Sequence, residues 1–153
     1  MKIRNSFVSN SSSSSFVILK DSLSERQIDM ILDYIRYVKN FIKKDEEKYV
    51  GVNFDESYDN PNREKRLKFR FEYYNSDPWN ISEYEDFIFG ETSMDNFDMQ
   101  DYFYYLGVDD DYVYWDEGYI DEPQPNHLSF IKQSKQKYRK EKLNKIEKRN
   151  ENS

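Results

Sequence analysis

Between Ile81 and Pro123 the chain carries fourteen carboxylates and no lysine or arginine. Like charges at that density oppose compaction, so this stretch folds only if something offsets them. The rest of the chain is arranged around the imbalance. Residues 1–44 carry a net +4, residues 45–80 a net −3 and residues 124–153 a net +6, within a total of −7. The acidic stretch is also aromatic: EYEDFIF, DNFDMQDYFYY and DDDYVYWDEGYIDE interleave acids with Phe, Tyr and Trp. Three offsets are open. The acids pair with the chain's own basic segments, they are solvated above buried aromatics, or they meet a basic surface on another molecule.

At 153 residues the chain fits one α+β domain over residues 1–123, followed by a basic helical tail over 124–153. Hydrophobic residues make up only 37%, but 18% of residues are aromatic, and large rings bury much area per side chain. A modest core is therefore expected. Cysteine is absent, which removes disulfides, thiolate nucleophiles and thiolate metal sites. No apolar run approaches the roughly 20 residues that span a bilayer. Ser and Asn follow Lys2 and Arg4 where a signal peptide needs an apolar run. The expectation is a soluble cytoplasmic protein without membrane contact.

The chain opens MKIRNSFVSNSSSSSFVILK. A serine run favours turns, because its hydroxyls compete for backbone hydrogen bonds. It is expected to link a strand over residues 2–8 to a second over residues 16–20. With no Gly in it and no Lys following, the run is not a phosphate-binding loop. Phe7, Val8, Ser9, Asn10, Ser11 to Ser15 and Phe16 resemble an opening shared by many short proteins of bacteriophages and of bacteria carrying mobile elements. The resemblance covers about the first eighteen residues and implies a phage-type setting. It implies no reaction.

Residues 22–44 have the pattern of an amphipathic helix. Ser22 and Glu25 have capping-box spacing, and Ile28, Ile31, Leu32, Ile35, Val38, Phe41 and Ile42 form a stripe of helical period. Residues 48–54 and the alternating run 66–74 predict an antiparallel hairpin packed on this helix. Ser82 with Glu85 predicts a short helix ending before Gly90. Ser93 predicts another over residues 94–106, with Phe97, Phe103 and Leu106 inward and Gly107 past its end. Residues 112–120 fit a strand or an aromatic loop. Pro123 and Pro125 mark a boundary, after which Asn126 caps a last helix with sparse apolar residues, either solvated and frayed or a mobile tail.

The chemistry-bearing residue types are few. His127 is the only histidine and no dyad spacing surrounds it, so it is expected at the surface or in a cap. The run Asp109, Asp110, Asp111 fails the calcium-loop template, because Val113, Tyr114 and Ile120 fall where that loop needs a ligand, a glycine and a glutamate. Glu46 and Lys48 are only a fragment of a carboxylate-plus-lysine nuclease pattern. Four scattered glycines form no nucleotide-binding motif. No metal, cofactor or catalytic residue is assigned.

The expectation that remains is a non-enzymatic, phage-type accessory protein binding a basic host-protein surface, such as that of a nucleic-acid-binding enzyme, by mimicry of nucleic acid. Its expected contact residues are Asp95, Asp98, Asp101, Asp109, Asp110, Asp111, Tyr112, Tyr114, Trp115, Asp116 and Glu117. Acids steer the encounter and aromatics hold the complex. The alternative is a nucleic-acid-associated protein acting through its basic tail, since phosphate is repelled by the acidic body.

Overall fold

The computed structural model describes residues 13–45, 78–93, 97–118 and 120–151. The expected strands at 2–8, 48–54 and 66–74 lie outside the described residues. Strand β1 (Ser14–Leu19) runs through the middle of a four-stranded antiparallel sheet with β2 (Asn80–Glu83), β3 (Phe87–Thr92) and β4 (Val113–Glu117), in the order β2-β3-β1-β4. Helices cover both faces: α1 (Glu25–Leu32), α2 (Tyr34–Asp45) and α3 (Met99–Leu106) on one, α4 (Pro125–Glu151) on the other. The class is α+β, with a small antiparallel sheet packed on amphipathic helices.

Covering both faces explains the burial pattern. Every residue of β1 and β3 is buried. Phe16 and Ile18 point to one core with Ile31, Tyr34, Val38, Trp79, Tyr102 and Phe103. Val17 and Leu19 point to the other with Phe87, Phe89, Tyr112 and Ile131. The end of the serine run belongs to the sheet: Ser14 and Ser15 open β1 and pair with Thr92 and Glu91.

The expected helix 22–44 is two helices. Ser22 lies in a 3-10 turn with its hydroxyl donating to the Leu19 carbonyl. Ser24, not Ser22, forms the capping box, reciprocally with Gln27. The helix breaks at Asp33, whose φ of −117° and ψ of 44° are not helical. The break turns Tyr34 inward, where its hydroxyl accepts the Trp79 N–H at 2.8 Å, and leaves Ile35 exposed. A single stripe therefore does not run through the whole segment.

The expected helix from Ser82 is instead the β2–β3 hairpin, closed by the Tyr84 N–H donating to the Phe87 carbonyl at 2.8 Å. Gly90 is no helix stop; it lies opposite Phe16 in the sheet. The acidic half of the chain thus supplies strands as well as helix, as its aromatic density permits. Asp98, not Ser93, caps α3, accepting from the Gln100 and Asp101 N–H groups. Phe97 and Phe103 are buried, Leu106 packs against the core, and Gly107 ends the helix in a left-handed conformation at φ 75°. Residues 113–117 are strand rather than loop. Helix α4 begins at Pro125, a favoured first helical residue, so Asn126 lies inside the helix and does not cap it.

Candidate functional site

Register places two groups of acids at one end of the sheet. Leu19, at the end of β1, lies opposite Phe87, and Ile18 opposite Val113. The β2–β3 turn (Glu83, Glu85, Asp86) and the turn before β4 (Asp109, Asp110, Asp111) therefore flank the same end of β1. Lys20 ties the first group down: its N–H donates to the Asp86 carbonyl at 2.9 Å and its ammonium meets Glu83 at 2.7 Å. Two residues of α4 span both groups, Lys135 to Asp86 at 2.9 Å and Lys137 to Asp111 at 3.7 Å. Carboxylates of residues 83–86 and 109–111 form an acidic rim that three lysines of this chain balance in part. Beside them the Tyr84 ring stacks on Phe87 at 4.6 Å and 9°, 41% of the residue exposed.

The residues expected to make one contact surface are dispersed. Asp95 lies outside the described residues. Asp98 caps α3 and Asp101 is buried in its first turn. Asp109, Asp110 and Asp111 sit in the exposed 3-10 turn, with Asp109 accepting the Asp111 N–H. Tyr112 is core: its hydroxyl donates to Glu141 at 2.5 Å, and Lys137 lies 5.4 Å from its ring. Burial first, then Glu141, raises its pKa above the ordinary value of 10.0. Trp115 packs against Phe16 and Phe103, and Tyr114 against His127 and Phe130, so neither ring is a free anchor. Glu117 is exposed, at the opposite end of β4 from the rim.

Asp116 holds the histidine. On the α4 face, Asn80, Glu91, Ser15 and Asp116 form one row across the four strands. Asn80 donates to Glu91 at 2.7 Å. His127, fully buried, uses both ring nitrogens: Nε2 binds Asp116 and Nδ1 accepts the Gln124 N–H at 2.9 Å. An Nδ1 that accepts is unprotonated, so Nε2 carries the proton and donates to the carboxylate. The ring caps α4 from its third residue while latching it to β4. It is therefore a cap, as expected, but buried rather than at the surface.

The same geometry bears on catalysis. A nucleophile–histidine–acid relay needs one ring nitrogen facing the nucleophile. Here that nitrogen faces a backbone amide. Ser15, the buried serine of the row, is 0% exposed and its hydroxyl has no hydrogen-bond partner. Among the described residues no three His, Asp or Glu side chains gather closely enough to hold a metal ion. A cleft of about 290 Å³ between the α1–α2 break and β2 is lined by Leu32, Ile35, Trp79 and Ile81. Its one carboxylate, Asp33, is paired with Arg36 at 2.8 Å. No described helix is long and apolar enough to cross a membrane.

Sequence reasoning missed the role of Glu83, Glu85 and Asp86, which it placed in a helix, and the lysines that meet the rim. The only local signal was the charge contrast between the two segments. No family model matches the chain, and neither a curated protein nor a solved structure matches it.

Proposed function

We propose that this chain is a non-enzymatic accessory protein of phage type, acting in the host cytoplasm, whose acidic rim binds a basic surface of a host protein in the manner of a nucleic acid. One observation supports the reading most. Carboxylates from two separate segments, Glu83 to Asp86 and Asp109 to Asp111, converge at one end of the sheet, and the lysine contacts there reach Glu83, Asp86 and Asp111. The contact residues are accordingly those of the rim, with exposed Tyr84 beside them, rather than Tyr112, Trp115 or Asp116. A concentrated anionic end raises the encounter rate with a cationic partner and loses that advantage as salt rises.

The test is capture from a nuclease-treated host lysate, read by mass spectrometry, with the wild type and a Glu83→Lys, Glu85→Lys, Asp110→Lys variant whose circular dichroism is unchanged. The wild type is expected to retain a basic protein and the variant to lose it. Equal retention by both rejects the rim as the binding surface.

A further inference from the structure

The end of α4 projects from the body at the rim. The helix meets the sheet through His127, Ile131, Ser134 and Tyr138, and one turn further Glu141 accepts from the Tyr112 hydroxyl. From Arg139 to Asn150 every residue is exposed. This arm carries Arg139, Lys140, Lys142, Lys145, Lys148 and Arg149 against Glu141, Glu147 and Glu151. Among the described residues, the lysines of α4 that enter ion pairs are Lys135 and Lys137, both before the arm begins. Leu143 and Ile146 are 59% and 46% exposed, and helical spacing puts them on one side with Arg139 and Lys142.

The rim has the complementary character, with carboxylates around an exposed Tyr84. Arm and rim also sit at the same end of the molecule, because Lys135 and Lys137 bring α4 to the rim just before the arm begins. A two-fold axis at that end would lay each arm across the other copy's rim, so that both contacts would form in one closed pair. From Glu141 to Glu151 the arm reaches about 15 Å at helical rise, the span of a few turns of neighbouring chain.

We propose that the α4 arm of one copy seats on the acidic rim of a second copy, giving a symmetric dimer that salt dissociates. The proposal rests on the reading of the rim as a receptor for a cationic surface, and gives the rim a second occupant beside the host protein. Lys142, Lys145 and Arg149 supply the charge, and Leu143 and Ile146 pack on the Tyr84 ring.

Sedimentation of the full chain, at ionic strengths well below and well above the physiological value, tests it. The wild type is expected to sediment as a dimer at low salt and as a monomer at high salt. A Lys142→Glu, Lys145→Glu, Arg149→Glu variant and a Glu83→Lys, Glu85→Lys variant are each expected to be monomers alone. Mixed, they are expected to form a heterodimer, since both arm–rim contacts are restored with reversed sign in one of them. A monomeric wild type at low salt overturns the dimer and leaves the rim to be judged by the lysate capture. A dimer that survives in either variant alone, or a monomer whose arm instead retains duplex DNA, also overturns it.

Discussion

Gly90 lies directly opposite Phe16 in the central strand pair, and the Phe16 ring occupies the space that a Cβ at position 90 would need. That ring then meets Trp79, Phe103 and Trp115 at centroid distances of 5.6, 4.8 and 5.4 Å. The aromatic core on the α1–α3 face is thus built around one missing side chain. Gly90→Ala is expected to push the ring aside and cost at least about 1–3 kcal/mol, the usual penalty of overpacking. Thermal or denaturant unfolding measures it. A Phe16→Leu change in the same chain should recover part of the loss, and no recovery would show that the strain lies elsewhere.

The hydroxyl of Ser15 is the opposite case, a group that contributes nothing visible where it is. It is fully buried in β1 without a partner. A buried hydroxyl left unbonded costs about 1–3 kcal/mol. Ser15→Ala is therefore expected to raise stability by about 1 kcal/mol, read as a higher denaturant midpoint with an unchanged slope. A loss of stability would mean that the hydroxyl holds a buried water between Glu91 and Asp116.

His127 behaves as a structural clasp, and its substitution separates that role from any other. His127→Leu leaves the Gln124 N–H unpartnered beneath α4 and the Asp116 carboxylate with the 3.3 Å bond from the Asn126 amide in place of its histidine donor. Losing a hydrogen bond to a part-buried carboxylate costs about 1.5–3 kcal/mol. Hydrogen exchange should then rise first at Gln124 and through the opening turn of α4, while the α1–α3 core stays protected. Uniform exchange across the molecule would contradict the clasp.

These residues mark where sequence reading stops. The apolar positions Ile28 and Ile31 before the Asp33 break and Val38 after it, and the Gly107 stop after α3, are local patterns, and all are present in the fold. Ser82 and Glu85 have cap spacing too, but the aromatics that follow them are claimed by β1, whose register sets their faces. The roles of Gly90 and Asp116 depend on partners 74 and 11 residues away, which no local pattern carries. Tyr112 and Trp115 resemble interface anchors in composition. Tyr112 became core, and Trp115 packs half-buried against the core, because β4 pairs with β1 and the helices cover both faces. The acidic end was legible as charge, but its shape depends on the hairpin and on Lys20, Lys135 and Lys137 arriving from distant segments.

Alkaline pH offers the last test, through the buried tyrosines. The Tyr102 hydroxyl donates to the Met30 carbonyl at 2.6 Å, and burial raises its pKa above the ordinary 10.0. Burial and Glu141 do the same for Tyr112. In both, the folded chain holds a proton that the unfolded chain releases near pH 10. A raised folded value means that the associated stability is complete below pH 10 and is lost progressively as pH climbs above it. Denaturant midpoints should accordingly be level between neutral pH and about pH 9 and fall steeply above pH 10. Absorbance of tyrosinate should show an exposed set titrating first and a set released only with unfolding. Tyr112→Phe should remove part of the fall above pH 10, while its lost bond to Glu141 lowers stability by about 1 kcal/mol at neutral pH. If all the tyrosines titrate together near pH 10 while the chain stays folded, Tyr102 and Tyr112 are not held as described.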